Sequence, residues 1–124
     1  MSATLVRFAL GDRHCALPVA AIDEVIRIVA IKPLAGAPPF VEGVINRRGV
    51  ITPVIDLRKR SGIVPGAFDA TTHILITSVR GKSTGLIVDE VTEVGDADDA
   101  ITLIDPATIL TDAEGKVFDA TQIS

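Results

Sequence analysis

Apolar residues in this chain fall into short runs separated by turn-forming residues, and helical spacing is rare. Leu5–Leu10 is apolar apart from Arg7, Gly11-Asp12-Arg13 interrupts it, and His14–Leu17 resumes the pattern, which predicts a β-hairpin. Pro18 suits a first helical position, and Ala20, Ala21, Ile22, Val25 and Ile26 follow at near-helical spacing, so a short helix is expected near 18–25. The β-branched run Val25–Val29 then returns to strand, and Lys32–Pro39, with three prolines and a glycine, reads as loop.

Residues 41–58, Val-Glu-Gly-Val-Ile-Asn-Arg-Arg-Gly-Val-Ile-Thr-Pro-Val-Ile-Asp-Leu-Arg, read as two apolar strands joined at Asn46-Arg47-Arg48-Gly49. Asn at the first position and Gly at the fourth suit a type I turn, and Gly49 can take positive φ if a bulge follows. The tip then offers two adjacent guanidiniums on a stiff support. Arginine is planar, always charged and carries a fixed fork of donors, so such a tip suits recognition.

Leu57–Arg60 reads as one helical turn, Ser61–Ala70 as a linker, and Thr72–Val79 and Thr84–Val88 as strands joined at Arg80-Gly81-Lys82-Ser83. Val91 and Val94 continue an extended pattern. Gly95–Ala100 reads as an acidic loop and Ile101–Ile104 as a short strand. Asp105 as N-cap and Pro106 as N1 predict a helical turn over 105–110, and the tail from Thr111 is expected to fray. Many short strands and little helix imply an all-β fold of small-barrel type with short helices.

Composition narrows the picture. The chain has 124 residues, 48 % hydrophobic and only 3 % aromatic, so its core must be Val, Ile, Leu and Ala. No apolar run reaches the roughly 20 residues of a membrane span, and the N-terminus lacks the blocks of a signal peptide, so a cytoplasmic protein without direct membrane insertion is expected. Cys15 is the sole cysteine and is expected to be a buried small hydrophobe. Charge is uneven: residues 1–60 carry nine bases and five acids, whereas residues 89–124 carry one base and ten acids. Such a bipolar chain can solvate one face or dock head-to-tail. An acidic total of −4 and bases without aromatic neighbours argue against nucleic acid.

Nothing in the chain spells catalysis. His14 and Cys15 are adjacent in a strand and point to opposite faces, and His73 has no local partner. No nucleophile elbow, phosphate loop or dinucleotide fingerprint is present. Asp96, Asp98 and Asp99 lack the offsets of a calcium loop. No catalytic residue, metal site or cofactor is therefore expected. Arg58 closely follows Asp56 and can pair with it within its own turn.

Val41–Arg58 resembles the central signature of the CheW-like domain, the coupling-protein family of bacterial chemotaxis, at Gly43, Val44, Asn46, Arg48, Gly49, Pro53, Val54, Ile55, Asp56, Leu57 and Arg58. Phe8-Ala9-Leu10-Gly11 with Leu17, Ile22, Glu24 and Val25 resembles the family's opening hairpin and helix, and Gly85–Val91 resembles its Gly-x-x-Val-Asp-x-Val strand. The resemblance covers about residues 4–110. It implies a single domain, 1–124, of two small SH3-like β-barrels packed together: lobe 1 over about 1–65, lobe 2 over about 66–110, then an acidic tail, 111–124. It implies a non-enzymatic adaptor that couples a chemoreceptor cytoplasmic tip to the regulatory domain of a histidine kinase. The alternative is a degenerate relative acting as a self-associating or peptide-binding module in a related pathway such as pilus motility. Small-ligand binding in the groove between the lobes is a further reading.

The resemblance carries receptor contact to Ile22, Glu24, Gly43, Asn46 and Arg48, with Arg47 beside them where family members often have Leu. Gly49, Pro53, Asp56 and Arg58 are expected to shape and hold the hairpin. The stretch after Val94 is short, so the second barrel is expected to be incomplete or closed by other means. A homodimer through that open edge of lobe 2, or a partner that supplies a strand, would seal it.

Overall fold

The computed structural model describes residues 4–96, 101–106 and 109. Nine strands are described: β1 (Thr4–Leu10), β2 (Arg13–Pro18), β3 (Ile22–Arg27), β4 (Val41–Arg47), β5 (Val50–Asp56), β6 (His73–Val79), β7 (Lys82–Val88), β8 (Glu90–Asp96) and β9 (Thr102–Leu103), with one helical turn, α1 (Leu57–Arg60). They form two sheets, ordered β8-β1-β2-β9 and β3-β6-β7-β5-β4. The sheets cut across a division near residue 65. The first draws strands from both ends of the chain, the second from its middle. Among the described strands, only the β2–β9 and β5–β7 neighbours run parallel.

The expected helix at 18–25 is absent. A single 3-10 turn, Val19–Ala21, leads directly into β3. β-Branched Ile22, Val25 and Ile26 lose less freedom in a strand than in a helix, and β6 supplies a partner from Ile22 to Arg27. The first two residues of the expected acidic loop, 95–100, are strand instead. Gly95 and Asp96 pair with Leu5 and Thr4 as the end of β8, and residues 97–100 lie outside the described residues. Residues 107, 108 and 110 of the expected 105–110 turn and the whole 111–124 tail lie outside them too.

Two cores hold the sheets. Phe8, Leu10, Cys15 and Leu17 of the first sheet pack between the sheets against Ile55, Leu75, Val79, Leu86 and Val88 of the second. A second core of Ile45, Val54, Ile74, Ile76 and Ile87, with Ile26, Ile28 and Ile31 against it, lies on the other face of the second sheet. β6 therefore buries both faces: Ile74 and Ile76 in one core, Leu75 and Val79 in the other. This is why it reads as a continuous apolar run rather than an alternating one. Each fully buried side chain of this size contributes about 1.5–3 kcal/mol.

Around the second core the sheet curls until its edges meet. Lys32 and Val44 exchange backbone hydrogen bonds of 2.9 and 2.8 Å, which tie the chain after β3 to β4. Gly43 permits this approach. It sits at φ 149°, and a Cβ there would lie 2.1 Å from the Lys32 carbonyl oxygen.

Candidate functional site

The β4–β5 hairpin is tighter than a type I turn. Arg47 pairs with Val50, so Arg48 and Gly49 alone form the loop, with φ of 54° and 84°. Two positive φ values in a two-residue loop define a type I′ turn, whose twist matches the flanking strands. Asn46 Oδ1 accepts the Gly49 N–H at 2.8 Å and fixes the corner. A β-strand Arg-Gly turn recurs at Arg80 and Gly81 (φ 52° and 78°) between β6 and β7.

Glu24 comes to this tip from β3. Its Oε2 lies 3.2 Å from a terminal nitrogen of Arg47 and 3.2 Å from one of Arg48. Strand alternation explains the meeting. Glu24 shares a face with Ile26, and Arg47 shares one with Ile45, both facing the second core. The sequence-designated Glu24, Asn46, Arg47 and Arg48 are thus brought together. Ile22 and Gly43 do not join them at the surface. A bulge between Ile22 and Glu24 turns Ile22 to the core between the sheets, and Gly43 is buried under the Lys32 backbone. Sequence reasoning passed over Val50 and Ile51, 53 % and 39 % exposed directly after the tip. Their signal, an apolar pair at a hairpin's start, is the same as that of a core strand.

A second polar centre lies at the other end of β5. Asp56 grips Arg58 with both oxygens: Oδ1 accepts from Nε and Oδ2 from a terminal nitrogen, each at 3.0 Å. Oδ1 also accepts the Arg58 backbone N–H and so caps α1. The remaining terminal nitrogen donates to Asp89 at 3.0 Å and to the Gly66 carbonyl at 3.1 Å, and the Phe68 ring lies 5.2 Å away. Arg58 is only 2 % exposed, and its hydrogen bond to Asp56 raises its pKa against desolvation, with Asp89 adding to the effect. Pro53 is buried in β5. A cavity of about 240 Å³ lined by Glu42, Asp56, Arg58, Lys59 and Phe68 opens beside this centre. Its cation is already engaged by protein acceptors, and Lys59 pairs with Glu42 at its mouth.

His14 is exposed and Cys15 buried on β2, so they do not form a nucleophile–base pair. Burial pushes the Cys15 thiol pKa up, against the pull of Arg13. Among the described residues no group of three metal-ligating side chains converges, and no helix is long and apolar enough to cross a membrane.

The fold is an all-β module of two sheets with an exposed arginine at a hairpin tip. The CheW-like domain model matches residues 4–114, and the chain belongs to that family. It is 34 % identical over 90 residues to "Chemotaxis protein CheW" of Bacillus subtilis and 32 % identical over 90 residues to "Probable chemotaxis protein CheW" of Rhizobium etli, in each case over 73 % of this chain and 58 % of the relative. The crystal structure of scaffolding protein TtCheW from Thermoanaerobacter tengcongensis superposes with a TM-score of 0.74 at 39 % identity, covering 80 % of this chain and 64 % of that one. The chain thus spans less than two thirds of the length of these relatives.

Proposed function

We propose that this chain is a non-enzymatic adaptor that couples chemoreceptors to a histidine kinase in chemotaxis-type signalling in the cytoplasm. The observation that carries the reading is the Arg48 side chain. It is 80 % exposed on a left-handed turn residue, beside a carboxylate delivered from another strand, in a chain of the CheW-like family. The receptor's cytoplasmic tip docks at Arg48, with Glu24, Asn46 and Arg47 setting its charge and position, while Gly43, Gly49, Pro53, Asp56 and Arg58 set the geometry beneath. The kinase's regulatory domain binds elsewhere on the two lobes. Co-precipitation of both partners with the wild type, and loss of the receptor alone with Arg48→Glu, tests this. Capture of neither partner by the folded wild type refutes it.

A second reading has its own observation. The outer edge of β8 carries no strand among the described residues. Two copies of the chain pairing along it would form a homodimer and complete both sheets. Glu90–Asp96 holds three acids and no base, so such a dimer strengthens with added salt. Sedimentation at low and high salt measures it, and a monomer under both conditions refutes it.

A further inference from the structure

The Glu24 carboxylate is shared by two cations. The same oxygen, Oε2, lies 3.2 Å from Arg47 and 3.2 Å from Arg48, so the trio keeps one positive charge. The two arginines are not equivalent. Arg47 is 21 % exposed and hydrogen-bonds Glu24, whereas Arg48 is 80 % exposed. Arg47 extends from the face of β4 that carries core residue Ile45, and its Nε is buried with no acceptor among the described residues. An ion pair at a partly buried rim is screened less than one in open water, so Glu24 is held mainly by Arg47. The Arg48 guanidinium is then the surplus cation, next to exposed Val50 and Ile51.

We propose that Arg47 determines specificity by positioning: it occupies Glu24 and thereby leaves Arg48 to bind a carboxylate of the docking partner. The complementary partner segment carries an Asp or Glu beside apolar side chains that cover Val50 and Ile51. Charge complementarity selects this occupant. A basic segment would meet an unbalanced cation, and a purely apolar one would bury the Arg48 charge unpaired. Removing Arg47 lets Glu24 close on Arg48 and withdraws the charge from the partner. The proposal rests on the receptor-docking reading above and specifies its chemistry.

The test titrates a dimeric chemoreceptor cytoplasmic tip, as wild type and with each acidic residue of the tip changed singly to its amide, against the full chain carrying no substitution, Arg47→Leu, Arg47→Lys or Glu24→Gln. Binding of the kinase's regulatory domain reports that each variant is folded. Arg47→Leu should weaken tip binding about two- to fivefold, and Glu24→Gln, which frees both arginines, should strengthen it by a similar factor. Arg47→Lys should stay near wild type. With one particular tip carboxylate neutralised, the four proteins should bind alike. Arg47→Leu binding as tightly as wild type, or the same differences persisting with every tip variant, would overturn the proposal while leaving receptor docking intact. Failure of the folded wild type to bind any tip would overturn the docking reading and this proposal with it.

Discussion

Asp56 holds the Arg58 guanidinium in a bidentate grip, both contacts 3.0 Å, with the two side chains 1 % and 2 % exposed. The pair also caps α1 and, through Asp89, ties β5 to the segment that follows β7. Removing the cation would leave a buried carboxylate uncompensated. Arg58→Ala should therefore destabilise the fold by about 3–5 kcal/mol. Arg58→Lys should be nearly as harmful, because an ammonium cannot reproduce the fork. Urea denaturation of both variants measures this. A loss below about 1 kcal/mol would mean that the pair is not structural.

Arg48 contrasts with Arg58, because it is exposed and sits at φ 54°. Arg48→Asn places a residue that tolerates the left-handed region in the same turn. Relief of strain offsets loss of the exposed contact to Glu24, so stability should hold or rise by up to about 1 kcal/mol. Receptor binding should fall in the same variant. Thermal melts beside binding titrations separate the two effects.

Two glycines fix the curl of the second sheet. A Cβ on Gly85 would lie 2.7 Å from Ile74 Cγ2 and 3.4 Å from Val54 Cγ2, so Gly85→Ala should cost about 1–3 kcal/mol by overpacking. Gly43→Ala should cost more, because the obstacle is the Lys32 backbone at 2.1 Å and the residue also needs its positive φ. It should expose the Lys32 and Val44 amides to exchange before the rest of the sheet, which amide hydrogen exchange detects.

Acid should loosen one loop specifically. Asp69 accepts from the Thr71 hydroxyl at 2.7 Å and the Thr71 amide at 2.8 Å, and these bonds, the hydroxyl's foremost, hold its pKa below the ordinary value. A carboxylate with a lowered folded-state pKa contributes stability that is present above the unfolded value and lost as pH falls through the folded one. The 69–72 turn should thus stay closed at neutral pH and loosen progressively as pH falls from the ordinary aspartate value, about 4, through the lowered folded one. Chemical shifts of the Thr71 and Thr72 amides across an acid titration report it, and flat shifts through that range would contradict it.

Parts of this structure were legible in the chain and parts were not. Alternation and punctuation marked most strands, including the β1–β2, β4–β5 and β6–β7 hairpins, because buried faces impose a period on sequence. The helix expected at 18–25 failed because near-helical spacing competed with β-branched Ile22, Val25 and Ile26, and long-range pairing with β6 decided the outcome. The turn type at the tip was missed because an arginine rarely takes positive φ. Asp56–Arg58 could be read from two-residue spacing. Asp89, 31 positions further on, could not, and neither could the Glu24–Arg47 contact, which exists only because the sheet curls. Gly43 resembled a contact residue, and its burial beneath Lys32 is a consequence of the same curl.

The most direct test of the adaptor account is kinase activity in a reconstituted assembly of receptor, histidine kinase and this chain, wild type against Arg48→Glu. The account predicts receptor-dependent stimulation of the kinase with wild type, and its loss with Arg48→Glu despite retained kinase binding. Stimulation that is equal with both proteins, or absent with the folded wild type, would contradict it.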